Sequence, residues 1–264
     1  MTVSAGQLRV QRAQELAEKH PFSAEILGFY IHVARFQDEM RHGLNKTLPH
    51  VLPDLKRELS ANETLQLAST FESFLCLAEA HGPKKTAELA RDMRLLGEAS
   101  RAELLSSSWA PPSSSDAGNI LASAFLQPYA EFLRSRAKPE KSLHTHAVCV
   151  FCNRKPSFGV MRQMGDGAAR SLVCSFCLGE WEFRRLVCPG CGEENDSKLS
   201  VFTANEFDYV RVECCESCKT YIKTVDLTKD GHAEPLVDEL ASAPLDLWAR
   251  EQGYAKLQSN MLGM

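Results

Sequence analysis

Residues 174–191 read CSFCLGEWEFRRLVCPGC, and the cysteines in this stretch determine how the region around it folds. It begins and ends with a pair of cysteines in the spacing C-x-x-C, and the same spacing occurs once upstream and once downstream. A tight turn carrying such a pair places two thiolates on one side of a metal ion, and two turns close a tetrahedral site. The pattern therefore predicts two metal sites of four cysteines each, formed by Cys149, Cys152, Cys174, Cys177, Cys188, Cys191, Cys215 and Cys218.

The pairs can combine in two ways. In chain order, the first two pairs form one site and the last two pairs form the other, and hairpins of similar length within each site indicate a duplicated module. A cross-braced arrangement, in which the first pair joins the third, stays open. Four sulfur ligands suit both zinc and iron, so the spacing leaves the metal open as well.

Three other uses of paired cysteines fit less well. Disulfides need an oxidising compartment. The N-terminus lacks an apolar core of signal-peptide length, and no segment reaches the ~18 apolar residues of a membrane span, so we expect a cytoplasmic protein without membrane insertion. A thioredoxin-like pair needs a helix start in a βαβ unit, and the C-x-x-C-x-x-C runs of ferredoxins are absent.

The residue after the second cysteine of each pair affects the shape of the turn. Gly192 permits the positive φ angle that turns backbone N–H groups toward the sulfurs, and Asn153 tolerates the same conformation. Leu178 and Lys219 do not favour it. We therefore expect the turns at these two residues to be looser.

The remaining cysteines and the nearby histidines are not predicted to bind metal. Cys214 is interpreted as a small buried residue on the strand that leads into the last pair, and Cys76 as core packing in an apolar helix. His144 and His146 are assigned to a solvated linker, because four sulfurs already complete each site.

Two residues between the middle pairs are candidates for partner binding. Trp181 and Arg184 qualify because aromatic residues and arginines are frequent anchors of interfaces. The favoured interpretation is structural: Trp181 and Phe183 fill the small core between the modules, and Arg184 is solvated.

Composition limits the classes of function. The chain has 264 residues, of which 44% are hydrophobic and 24% charged, with a formal net charge of -4. This charge argues against a nucleic-acid partner bound by broad phosphate neutralisation. No Ser/His/Asp set, paired carboxylates or glycine-rich phosphate loop stands out, so we expect a binding protein rather than an enzyme.

The N-terminal half has helical periodicity. One apolar stripe predicts a helix that starts after His20-Pro21 and ends near Gly43, with the members Phe22, Ile26, Phe29, Val33, Phe36 and Met40. A second stripe stops at Gly82-Pro83 and contains Leu67, Phe71, Phe74 and Ala78. A shorter third stripe contains Leu89, Met93 and Leu96. Residues 109–118 are predicted to be a loop and residues 119–136 a helix, with a bend at Pro128.

The cysteine region has the pattern of short strands. Residues 157–164 and 169–173 flank the turn Gly165-Asp166-Gly167. The last two cysteine pairs enclose a second predicted hairpin, with strands at residues 199–204 and 209–213. A further strand, residues 221–226, follows the last pair. After Gly231 the chain is predicted to be helical, with helix starts at Pro235 and Pro244.

Together these patterns predict an α+β protein. Residues 1–145 form an α-helical domain, and residues 146–228 form two tandem rubredoxin-like or zinc-ribbon-like metal modules. The modules divide at about residues 146–180 and 181–228. Residues 229–264 form a short C-terminal helical segment.

Three stretches also resemble one protein family, the formate dehydrogenase accessory proteins called FdhE. They are CSFCLGEWEFRRLVCPGC (174–191), CESCKTYIKTVD (215–226) and the pattern PLVDELA…LDLW (235–248). The first pair, in CVFCNRKPSFGV, is similar to the family form C-P-x-C-G-x-x-P but departs from it at Val150 and Asn153. In the N-terminal half the resemblance is limited to the helical pattern and residues 20–37.

The resemblance implies a cytoplasmic assembly factor with a helical N-terminal domain and two rubredoxin-like modules that hold iron. Its partner would be the catalytic subunit of respiratory formate dehydrogenase, bound before that subunit is exported folded by the twin-arginine route. Iron is therefore the favoured metal, with zinc open, and a homodimer is also open. Two alternatives remain: a rubredoxin-like electron carrier to a client enzyme, and a zinc-ribbon nucleic-acid adaptor, which the acidic balance disfavours.

Overall fold

The computed structural model describes residues 4–47, 53–110, 120–138 and 147–263. They fall into two compact units. The helical unit comprises the chain up to Lys138 together with Met261–Gly263. The sheet unit comprises the chain between these two parts, up to Asn260. This architecture confirms the α+β class. The predicted division at residues 145 and 228 stays a prediction, and His144 and His146 lie outside the described residues.

The helical unit contains six α-helices within the described ranges. They are α1 (Ala5–Lys19), α2 (Ala24–Thr47), α3 (Ala61–His81), α4 (Lys84–Arg94), α5 (Glu98–Trp109) and α6 (Ile120–Arg136). Serine side chains start two of them: Ser4 accepts a hydrogen bond from the N–H of Gln7, and Ser60 accepts one from the N–H of Glu63. Both form capping boxes, which supply partners to otherwise unpaired N–H groups.

Two helix predictions are confirmed closely. Helix α3 ends at His81, directly before Gly82-Pro83, and all four members of its predicted stripe are buried. Helix α6 contains Pro128 and is buried without interruption from Ala124 to Leu133. The rings of Phe71, Phe74 and Phe125 meet between these helices, with centroids 4.9 to 6.4 Å apart.

The stripe predicted for α2 is only partly correct. Phe29 and Val33 are buried, but Phe22 is 58% exposed because it lies in a short 3-10 turn before the helix begins. The buried face is rotated and includes Leu27 and Tyr30. The helix also continues past its predicted end, because one glycine in a long helix costs only ~1 kcal/mol.

Three further expectations are wrong. Leu96 is exposed and lies beyond the end of α4. Trp109 belongs to α5 rather than to a loop, and its buried indole donates a hydrogen bond of 2.8 Å to the carbonyl of Arg57. Cys76 is exposed, because it lies on the face of α3 opposite the phenylalanine cluster. The rest of the predicted loop, from residue 111, lies outside the described ranges.

A buried carboxylate ties α3 to α6. Glu63 receives two hydrogen bonds from Arg57, of 2.8 and 2.5 Å, and a further one from the hydroxyl of Tyr129. Burial raises the pKa of Glu63, but the hydrogen bonds from Arg57, Tyr129 and Ser60 outweigh burial and lower the pKa to about 2. The carboxylate is therefore ionised in the folded protein at ordinary pH.

The sheet unit confirms both predicted hairpins. Its strands are β1 (Pro156–Met164), β2 (Gly167–Cys174), β3 (Glu180–Glu182), β4 (Leu199–Ala204), β5 (Phe207–Cys215), β6 (Thr220–Asp226) and β7 (Ala255–Lys256). The helices α7 (Pro235–Ala241) and α8 (Ala243–Glu251) follow β6, each with a proline in its first turn as predicted. Strands β1 and β2 form one hairpin, and β4 and β5 form the other.

The two hairpins share one sheet. The strand order is β3-β2-β1-β6-β5-β4, with β7 paired to β6. The connection is a parallel pairing of β1 with β6, in which Phe158 lies opposite Lys223 and Val160 opposite Val225. The tandem modules therefore form a single layer, and β6 is buried along almost its whole length.

Four charged side chains are buried where β6 meets α7, α8 and β7. The amino group of Lys223 lies 2.6 Å from Asp246 and 3.2 Å from Glu239, and that of Lys256 lies 2.5 Å from Glu239 and 3.1 Å from Asp246. The hydroxyl of Tyr221 donates to Asp246 over 2.8 Å. This buried ion cluster was not predicted, because the alternation along residues 221–226 places Lys223 on a solvent face.

Candidate metal centres

The first centre lies between the turn before β1 and the turn after β2. The sulfur of Cys149 is 3.6 Å from that of Cys177, and the sulfur of Cys152 is 3.4 Å from that of Cys174. All four cysteines are buried. The hairpin β1–β2 sets this geometry, because antiparallel pairing brings Pro156 opposite Cys174.

The second centre repeats the arrangement around the hairpin β4–β5. The sulfur of Cys188 lies 3.7 Å from that of Cys218, and the sulfur of Cys191 lies 3.7 Å from that of Cys215. The pairs thus group in chain order rather than cross-braced. Burial distinguishes this centre from the first, because Cys191 is exposed and Cys218 is partly exposed.

Both clusters fit a metal ion in a tetrahedral sulfur site. A tetrahedron with metal–sulfur bonds of about 2.3 Å has sulfur–sulfur edges of about 3.8 Å. Within each cluster the four sulfurs lie within 4.8 Å of one another, with the shortest separations between 3.4 and 3.7 Å. Two clusters of four cysteines, each able to hold a metal ion, are therefore present. A bound ion would hold the two turns of each hairpin together.

The four cysteine turns share one backbone conformation. The residue after the second cysteine has a positive φ in each turn: 60° at Asn153, 50° at Leu178, 78° at Gly192 and 55° at Lys219. The expectation of looser turns at Leu178 and Lys219 is therefore wrong. Among the described residues, positive φ at a non-glycine position occurs only at three of these sites, and each costs roughly 1–2 kcal/mol.

Backbone N–H groups point at the sulfurs, as the turn shape requires. The N–H of Phe176 donates to the sulfur of Cys174 over 3.4 Å, and the N–H of Gly190 donates to the sulfur of Cys188 over 3.3 Å. In the second centre the hydroxyl of Thr220 contacts the sulfur of Cys218 at 3.0 Å. Such contacts stabilise thiolate charge and orient metal ligands.

The crowded thiols have strongly perturbed pKa values. Hydrogen bonds within the cluster, that with Cys152 first, hold the pKa of Cys149 far below its ordinary value. Burial raises the pKa of Cys174, and in the second centre burial raises the pKa of Cys188 to about 12. Four anionic sulfurs at these distances repel one another. A metal cation offsets that repulsion by binding all four as thiolates.

The surroundings of the two centres differ in charge. The fifth residue after the first cysteine is Arg154 in one centre and Glu193 in the other. Arg154 is buried, stacks on the ring of Phe176 at 3.8 Å, and feels the charge of three cluster thiols. Its cation compensates the negative charge of the first centre. Arg154 was not predicted to belong to the site, although alignment of the two cysteine repeats places it at the position of Glu193.

The other predicted residues have clear positions. Cys214 is buried on β5 outside both clusters, as expected. Trp181 and Phe183 are buried, with Trp181 opposite Leu172 on β2. Arg184 is exposed, and both of its terminal nitrogens donate to Glu194.

No helix in the described part of the chain is both long and apolar enough to cross a lipid bilayer.

Fold and clusters together define a class: a helical unit joined to a sheet unit that carries a duplicated four-cysteine hairpin. Comparison with known proteins makes this class specific. The family described as FdhE, C-terminal domain, matches residues 186–262. A protein FdhE homolog from Aquifex aeolicus is 30% identical over 96% of this chain and 94% of its own length. The chain belongs to the FdhE family.

Further relatives agree with this assignment. A protein FdhE homolog from Haemophilus influenzae strain PittGG is 28% identical over 95% of this chain and 85% of its own length. The crystal structure of the FdhE protein from Pseudomonas aeruginosa matches with a TM-score of 0.67 at 24% identity, over 97% of this chain and 94% of that one. This structural likeness shows that the fold is shared.

Proposed function

We propose that this protein is a cytoplasmic accessory protein for the maturation of respiratory formate dehydrogenase. In this proposal it binds the catalytic subunit before export, acts as a chaperone rather than as an enzyme, and is absent from the final complex. The observation that carries the proposal is the similarity to FdhE proteins along almost the whole chain, which covers both units.

The metal centres support a binding role. Each cluster is already complete with four sulfurs, so a bound ion has no open position for a substrate. The ions would instead stabilise the turns, which hold three non-glycine residues at positive φ. Iron is the metal we propose on the basis of the family resemblance, with the eight clustered cysteines as ligands.

The two residues proposed for partner binding differ in how much of the side chain is exposed to solvent. Trp181 is 4% exposed, which supports its structural role in the sheet unit. The side chain of Arg184 is 51% exposed, and its ion pair with Glu194 is of the surface type that contributes only ~0–1 kcal/mol. Arg184 is therefore free to exchange this partner for an acidic group on a client, and it is the better candidate.

Co-purification tests the proposal. The tagged protein, expressed anaerobically with both sites metal-loaded, should retain the formate dehydrogenase catalytic subunit. Arg184→Ala should weaken retention while metal content and melting temperature stay unchanged, and Arg162→Ala, which breaks another exposed ion pair of the sheet unit, is the matched control. Loss of all association with both sites loaded would contradict the proposal.

Electron transfer is a second candidate, favoured by the exposure of Cys191. An iron ion in four sulfurs shuttles one electron, and an exposed ligand shortens the path to a redox partner, whereas zinc has no redox chemistry. Replacing iron by zinc separates the candidates. A zinc-loaded protein that still supports maturation of formate dehydrogenase would rule out electron transfer as the essential role.

A further inference from the structure

A cavity of about 120 Å³ lies in the sheet unit beside the second centre. Its walls are mostly apolar and include Val201 on β4, Ile222 on β6 and Leu257 after β7. Cys188 and Cys215 line it, but Cys191 and Cys218 do not. The cavity is therefore separate from the space between the four sulfurs and is a neighbour of the metal position.

Charged residues form part of the lining of this cavity. Three arginines and one glutamate are among its lining residues: Arg170, Arg185, Arg211 and Glu213. Arg211 is balanced by Asp226, at 2.5 Å. Arg170 is balanced by Glu213, also at 2.5 Å. Arg185, which is exposed, forms no hydrogen bond or ion pair within the described residues, so no acidic side chain among them compensates its charge.

Arg170 is a buried side chain with fixed hydrogen bonds rather than a mobile surface side chain. It is 3% exposed, and one terminal nitrogen donates to the carbonyls of Arg184 and Val187, over 3.2 Å each. Its Nε is buried without a hydrogen-bond partner among the described residues. Leaving a buried N–H of a charged group without an acceptor carries an energetic cost. An acceptor supplied by a ligand would remove that cost.

We propose that this cavity binds a small carboxylate with a short aliphatic body. The unpaired Arg185 selects an anion, and its guanidinium group matches the planar, two-oxygen shape of a carboxylate. The apolar walls select a hydrocarbon stem. An apolar cavity of about 150 Å³ accommodates benzene, so this one suits a ligand of about six non-hydrogen atoms. This inference is independent of the proposed role in formate dehydrogenase maturation.

Calorimetric titration of the zinc-loaded full-length chain tests the proposal with three probes of similar size: butyrate, 1-butanol and butylamine. Butyrate should bind saturably with one site, and the alcohol and the amine should not. Arg185→Gln should weaken butyrate binding about tenfold. Arg162→Gln, an exposed arginine of the same unit that does not line the cavity, should leave binding unchanged.

A cobalt-loaded sample locates the bound ligand. Because Cys188 and Cys215 line the cavity, butyrate should shift the sulfur-to-cobalt absorption of the second centre in the wild-type protein. The shift should be absent in Cys188→Ser, which removes a ligand of that centre. Absence of saturable binding, equal binding of all three probes, an unchanged affinity in Arg185→Gln, or binding without a spectral shift would each overturn the proposal.

Discussion

The buried ion cluster should be essential for the stability of the sheet unit, and Lys223→Met tests this directly. Lys223 is fully buried, and its amino group contacts both Asp246 and Glu239. It also donates to the carbonyl of Glu239 over 2.5 Å and reaches Ser242. Methionine preserves the length and the apolar stem of the side chain while removing the charge.

The expected loss is about 3–5 kcal/mol of unfolding free energy. With Lys223 in place the cluster contains two cations and two carboxylates. After the substitution Asp246 and Glu239 share Lys256 alone, so one buried negative charge is uncompensated. At a denaturant slope of about 2 kcal/mol per molar, the urea midpoint should fall by about 2 M.

Urea unfolding of the zinc-loaded protein, followed by circular dichroism, measures the effect. Arg162→Met is the matched control, since it removes an exposed arginine from an ion pair with Glu180 and should cost at most about 1 kcal/mol. The double variant Lys223→Met with Asp246→Asn should recover part of the loss, because it removes one charge of each sign. A loss below about 1 kcal/mol for Lys223→Met would refute the argument.

Three further predictions concern the centres and the helical unit. A chelator should remove the metal of the second centre first, because Cys191 is exposed and the first centre is buried beside the cation of Arg154. The variants Cys149→Ser and Cys188→Ser, each of which removes a ligand of one centre, identify which centre releases its metal. Equal release rates from the two centres would contradict this prediction. Lys219→Gly should raise the unfolding free energy by about 1 kcal/mol, because glycine adopts the φ of 55° without strain, and a lower urea midpoint would count against the turn geometry. The pKa of Glu63 is lowered to about 2 from 4.5, so its contribution to stability is complete above about pH 4.5 and is lost as the pH falls toward 2. In Arg57→Met the unfolding free energy should fall less steeply with decreasing pH than in the wild type. Parallel curves for the two proteins would show that the Arg57–Glu63 pair is not the source of the pH dependence.

The metal modules could be predicted in detail because their determinants are local. C-x-x-C turns, a glycine-rich hairpin and alternating strands each act over a few residues, so the sequence predicts β1, β2, β4 and β5 almost to their ends. Helix α5 was missed because serines interrupt its apolar face, which leaves Leu105 and Trp109 as its main buried residues. The exposed position of Cys76 was also not predictable, since the composition of a helix does not determine which face of it is buried.

Long-range features were not predictable from local pattern. The parallel pairing of β1 with β6 depends on residues far apart in the chain. The buried position of Lys223 follows from this pairing and from the carboxylates that α7 and α8 place nearby. The turn at Lys219 shows a related effect, because hairpin and cluster geometry impose a backbone conformation that the side chain alone disfavours.

The parallel pairing of β1 with β6 also has a consequence for the order of folding. Each hairpin, with its own four cysteines, closes through contacts between residues near in sequence, which form quickly. The pairing of Phe158 with Lys223 must close a much longer loop. Each hairpin can therefore capture its metal ion during synthesis, before the junction between the two hairpins exists, and the shared sheet is completed only when β6 arrives.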